Sequence, residues 1–316
     1  MSYRIKTHGR IAPEFRRVAA EELTAALGEL HPLDHERIAD AIHEARKHLK
    51  KLRALVQLLR EPMGEKQVRS EAACYRDIGR KVRHLRDAQA LAAALEKVAR
   101  RFFEKRHPPV VRAALAVLAG EEHRARQALE RPGGFDGVIK SLQEARLRAA
   151  AWKIEDYRWK HLASALRRSY RRAREAWRQA CVERRPRLLH AWRRRTKELW
   201  CQLTLIHQAA PDFLEEMAGE LEVLGEFLGD DHDLLVLREV LARHPRELPE
   251  NKARKGLFDI LALRREELLE GAFDLAGRVF AEPPSEFLHA LEARRNDHRS
   301  RGRKVQRVTD RLAALG

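Results

Sequence analysis

Two segments place the same four cationic positions at the same spacing. The first, AIHEARKHLKKLRALVQLLR over residues 41–60, carries His43, Arg46, Lys47 and Lys50; the second, LLHAWRRRTKELWCQLTLI over 188–206, carries His190, Arg193, Arg194 and Lys197. Steps of three, four and seven bring each set onto one face of a helix. Arg53 extends the first stripe by three more residues. The opposite faces are apolar: Ile42, Ala45, Leu49, Leu52, Val56 and Leu59 in one segment, and Trp192, Thr196, Leu199, Leu203 and Ile206 in the other. A helix that buries one side and arrays Arg, Lys and His on the other, twice, is suited to gripping an anion. Arg supplies a planar fork of donors, Lys a mobile point charge, and His a charge gained near pH 6.5.

Other helical faces are basic as well. Arg69, Arg76, Arg80 and Arg83 share a sector before the segment LRDAQAL at 85–91. Lys160, Arg167, Arg171, Arg174 and Arg178 share another along 155–182, whereas the region at 212–245 is acidic, with Glu215, Glu216, Glu220 and Glu222. The expected groove therefore includes Arg76, Arg80, Arg83, Arg167, Arg171, Arg174 and Arg178 beside the two stripes. His48, His161 and His207 lead no matched stripe and read as capping or packing residues.

Sixty-four basic against 47 acidic residues leave a net charge of +17 in 316 residues, which predicts a polyanionic partner without dictating a fold. Nucleic acid, an acidic membrane surface and polyphosphate all satisfy charge alone. Aromatic residues make up only 6%, which weighs against a single-strand binder that stacks bases. Neither a helix-turn-helix spacing nor a zinc finger is evident. Three cysteines without a C-x-x-C pair suit a reduced, cytoplasmic compartment. The first ten residues carry no apolar signal core, and no run approaches bilayer length, so no membrane span is expected.

Catalytic patterns fail one by one. His43-Glu44-Ala45-Arg46-Lys47 has a lysine where a zinc hydrolase needs its second histidine, and there is neither a Walker A loop nor a G-x-S-x-G elbow. Asp230-Asp231-His232-Asp233 has ligand chemistry for a metal; the alternative is that Asp87 and Asp230 hold neighbouring arginines or end a turn. We expect no metal, no cofactor and no catalysis.

The periodicity is helical nearly throughout. Helices are expected at about 35–60, 65–104, 110–130, 136–150, 155–182, 186–208, 212–245, 251–281 and 285–314. Asp34 is the expected N-cap of the first stripe helix, and residues 131–134, Arg-Pro-Gly-Gly, the clearest loop. The basic stretch from Arg294 to Arg307 is either a docked helix or a further electrostatic arm. Short connections imply antiparallel neighbours, hence an all-α protein of two antiparallel four-helix bundles, residues 1–151 and 152–316.

The two stripes, each followed by an Asp-bearing segment (LRDAQAL at 85–91, LGDDHDL at 228–234), together with SYRRAREAW at 169–177, resemble the CHAD-domain family. That resemblance covers about residues 12–245. It implies two bundles related by a pseudo-twofold axis with their basic faces turned toward each other, binding of inorganic polyphosphate, and association with cytoplasmic polyphosphate granules and the proteins on them. The second stripe departs from the first, having Glu198 and Trp200 where the first has Lys51 and Arg53. The alternating E-x-E-x-K strand of a triphosphate-processing CYTH domain is absent. Nucleic acid remains the competing polyanion, and a phosphate-chain-processing enzyme the less favoured alternative.

Overall fold

In the computed structural model, residues 3–7, 10–31, 38–103, 107–130, 135–249 and 251–313 are described. Among these there is no β-strand. The helices run α1 (Ala12–Glu29), α2 (Ile38–Leu58), α3 (Arg60–Met63), α4 (Glu65–Lys81), α5 (Arg83–Phe102), α6 (Pro109–Glu130), α7 (Asp136–Ala150), α8 (Trp159–Val182), α9 (Pro186–Leu205), α10 (Pro211–Ala242), α11 (Asn251–Val279) and α12 (Pro284–Ala313). Proline opens α9, α10 and α12, where its fixed φ suits the first helical turn and no hydrogen bond is lost. The proposed N-cap Asp34 and the loop at 131–134 lie outside the described residues.

α2 and α9 are the stripe helices, and their apolar faces are buried as expected: Ile42, Leu52, Val56, Trp192, Leu199 and Leu203 have no accessible surface. Burial of such side chains contributes about 1.5–3 kcal/mol each. The two helices pack against each other, α1 and α4 flank α2, and α8 and α10 flank α9. A buried hydrogen bond fixes the junction, Gln202 Nε2 donating to the Ala54 carbonyl at 3.0 Å. Further out, α7 covers α1, α12 covers α8, α6 lies on α5, and α11 lies on α10.

The apolar interior forms two clusters. One surrounds the stripe helices and draws on α1 to α5 and α7 to α12. The other joins the far parts of α5, α6, α10 and α11. Both clusters therefore cross from the first half of the sequence to the second.

Two expectations are corrected. The helix expected over 65–104 is two helices, α4 and α5, divided at Val82, whose φ and ψ of −107° and 8° leave the helical basin. Val82 is buried at this corner, and the bend lets α4 lie along α2 and α7 while α5 turns toward α6 and α10. The helix expected from 155 begins at Trp159, because Asp156 has φ of 47° and Arg158 is extended. The connecting stretch is packed rather than slack: Trp152, Ile154 and Tyr157 are buried, and Tyr157 Oη donates to the Leu58 carbonyl at 2.6 Å.

The basic C-terminal stretch is helical. α12 docks on α8 through buried Phe287 and Leu291 and through Arg295, whose guanidinium lies 4.0 Å from the centre of the Trp159 ring. No described helix is long and apolar enough to cross a membrane.

Candidate functional site

The two stripes meet. Arg46 and Arg193, which hold the same place in the two sequence motifs, are electrostatic neighbours, and so are Lys50 and Lys197. Four like charges so close would repel strongly in an empty cleft. The Lys50 side chain is exposed, yet the helices wall it in on the other sides. Desolvation, followed by Arg193, Arg46 and Lys197, pushes its pKa down to about 8. Lys197 is lowered in the same way, by burial first and then by Arg193.

α4 closes one side of this cleft. Arg46, Lys50, Arg53, Arg76, Arg80, Arg83, His190 and Arg194 all line a cavity of about 290 Å³ between α2, α4 and α9. Arg53 is held below the usual arginine range by desolvation, with Arg194, Arg76 and Arg80 adding to the effect and Glu198 opposing it. Several carboxylates answer these cations: Asp233 of α10 interacts with both Arg193 and Lys50, and Glu222 and Glu226 act on Lys197. Asp87 lies 3.4 Å from Arg46, and Asp77 is 2.9 Å from Arg76 and 3.4 Å from Arg80. Arg46 also donates to the Gly79 carbonyl at 3.3 Å. Lys47 is at the margin, exposed and paired with Glu44 at 2.7 Å.

α10 makes room for the second stripe with glycines that the sequence reading passed over. A Cβ at Gly225 would come within 2.8 Å of Lys197 Cε, and one at Gly229 within 3.8 Å of Arg193 Nε. Both cations thus lie on bare helix backbone. Arg193 Nε is buried and has no hydrogen-bond partner. The signal available in the sequence was glycine at i and i+4 inside a long helix, where it is otherwise unfavourable.

The histidines sit at the edges. His43 Nδ1 accepts from Arg86 Nε at 3.0 Å; burial, then Arg86 and Lys47, lower its pKa. His190 is lowered by burial and then by Arg193 and Arg194. Its ring centre is 4.9 Å from that of His232, whose pKa is pushed down to about 4 by burial, Arg193 and His190. Arg86, the partner of His43, was not among the expected residues.

The arginines expected from α8 are not brought to this cavity. Arg174 donates to the carbonyls of Phe280 and Ala281 at 2.8 and 3.3 Å and so caps the C-terminal end of α11. Arg171 faces Glu175 at 3.7 Å, and Arg167 and Arg178 are exposed along the same helix. None of the four lines the cleft between the stripes. Arg174 is turned to the chain just after α11, while Arg167, Arg171 and Arg178 are exposed.

Asp230-Asp231-His232-Asp233 lies inside α10 and ends no turn. Asp230 holds Lys97 of α5 at 3.1 Å rather than an arginine, and buried Asp231 holds Arg265 of α11 at 2.8 Å. Among the described residues no His, Cys, Asp and Glu cluster has the form of a metal site. His48 pairs with Glu22 at 2.6 Å, and His161 caps α8 through the Arg158 N–H, both in structural roles.

The CHAD domain family model matches residues 17–242. Among solved structures, the CHAD domain from the plant Ricinus communis is similar in fold, with a TM-score of 0.54 over 94% of this chain and 96% of that one, at 16% identity. No curated protein matches closely enough to count as a relative. The family model spans both stripe helices and most of the chain, and the chain belongs to the CHAD domain family.

Proposed function

We propose that this protein binds inorganic polyphosphate, without catalysis and without a cofactor, in the cleft where α2 and α9 meet. The observation that carries this reading is the convergence of Arg46, Lys50, Arg193 and Lys197, where burial first and then the neighbouring cations push the Lys50 pKa down to about 8, and Asp233 of α10 offsets only part of the positive charge. Such a site is unfavourable while empty and is relieved by a dense linear anion. A recessed cleft suits a single phosphate chain better than a duplex, whose phosphates lie along a broad convex surface. The wider reading has three further parts. The halves 1–151 and 152–316 are duplicated four-helix bundles about a pseudo-twofold axis, an arrangement supported by like positions of the two motifs facing each other. The protein resides in the cytoplasm, and it joins polyphosphate granules together with their proteins.

Titration of long-chain polyphosphate into wild type, Lys50→Ala and Lys197→Ala tests this. Each variant should lose about tenfold in affinity, the scale of one charged hydrogen bond. Affinity should fall steeply with salt as counterions are released. Duplex DNA at equal phosphate concentration should compete poorly, and incubation with magnesium should release no phosphate. Equal competition by DNA would favour the nucleic-acid alternative, and phosphate release would favour an enzyme.

A further inference from the structure

We infer that the groove continues past the twin stripes into a second chamber bounded by α5, α6 and α10, so that the protein prefers long phosphate chains to short ones. This rests on the polyphosphate reading and adds a chain-length preference to it. The chamber has a volume of about 1030 Å³, against about 290 Å³ for the cleft between α2, α4 and α9. The two are not separate hollows: Arg83 and His190 line both. The bend at Val82 is what permits this, because Arg83 is the first residue of α5 and stands at the corner between α4 and the chamber. His232, beside His190, and Asp87, beside Arg46, continue the lining across the junction.

Beyond the junction the cations resume. Lys81 and His84 line the chamber near the bend, and Arg124 and Arg243 line it from α6 and the end of α10. Glu121 holds Arg124 at 2.5 Å and His244 at 3.0 Å, which keeps these donors in place and tempers their charge. Leu91, Leu118, Val236 and Val240 form an apolar wall that offers no donors, so an anion lies along the charged rim. A short oligophosphate is satisfied by the cleft, where the cations are densest. A longer chain leaves over Arg83 and His190 and gains the contacts at the rim. Each such contact is weak at an exposed site, but along one chain they add and release further counterions.

The test compares tripolyphosphate with long-chain polyphosphate, using the full chain at physiological ionic strength. There the Debye length of about 8 Å screens distant charge. Arg124→Ala combined with Arg243→Ala changes two exposed side chains, and a melting curve would confirm the fold. The double variant should bind long chains about tenfold more weakly and lose roughly one to two from its salt slope, with tripolyphosphate affinity unchanged. Unchanged affinity for long chains overturns the inference, as does an equal loss for both ligands. Lys50→Ala, as the second arm, should weaken both ligands. If wild type binds neither ligand, or Lys50→Ala weakens neither, the polyphosphate reading itself fails, a result distinct from failure of the chamber alone.

Discussion

Lys50 shows how a charged site that is uncomfortable when empty becomes responsive to pH. With its pKa pushed down to about 8 by desolvation and by Arg193, Arg46 and Lys197, part of its charge is lost at mildly alkaline pH. A polyanion favours the protonated amine, so binding takes up a proton there, and affinity should fall as pH rises from about 7 to about 9. Calorimetry in buffers of different ionisation enthalpy would detect the proton; Lys50→Arg, which stays charged, should flatten the profile. Folding stability moves the other way. Because the folded state holds this proton less tightly than the unfolded chain, the ligand-free protein should gain stability as pH rises from about 8 toward the ordinary lysine value. The histidines behave differently from the simple expectation of easy protonation near neutrality. His43 and His190 are both lowered, and His43 Nδ1 already accepts from Arg86. Acid strengthening of binding should therefore begin below the ordinary imidazole range, and His43→Ala with His190→Ala should abolish it. The stripe positions themselves were legible because steps of three, four and seven are a property of one helix. Arg86 was not, since its approach to His43 depends on how two helices pack.

α10 carries a conflict between helix stability and the placement of charge. Glycine inside a helix costs about 0.8–1 kcal/mol relative to alanine, yet Gly225 and Gly229 sit where Lys197 and Arg193 lie. Gly225→Ala should hold or raise the melting temperature while weakening polyphosphate binding roughly threefold to tenfold, because the new methyl displaces the lysine head and weakens a charged contact. Gly219→Ala is the control: nothing lies within 4 Å of its Cβ position, so it should stabilise without touching affinity. A fall in both stability and affinity at Gly225 would mean general damage instead. Most helices could be read from proline breaks and apolar periodicity, but the division of α4 from α5 could not. Val82 is neither glycine nor proline, and its departure from helical angles follows from burial at a corner made by other elements. The same limit explains α8. Spacing aligns Arg167, Arg171, Arg174 and Arg178, whereas only packing reveals that Arg174 caps α11.

Across the whole molecule, the repeat in sequence and the division of the interior do not coincide. The cluster around the stripe helices and the cluster at the far ends of α5, α6, α10 and α11 each take residues from both halves. Unfolding should therefore be one event, with helix loss and tryptophan exposure following the same curve in denaturant. Two resolved transitions would show that the halves are energetically independent. The sequence displays its duplicated stripes openly, but α10 and α11 each lend one part to either cluster, a fact of three-dimensional crossing that no local pattern encodes. The segment before α1 takes part in this crossing. Tyr3 Oη donates to the Lys51 carbonyl at 2.9 Å, Ile5 N–H donates to the Leu205 carbonyl at 2.8 Å, and Ile5 is wholly buried. During synthesis, then, Ile5 must wait for a partner some two hundred positions downstream. The seam they close is sealed only once the second stripe has left the ribosome.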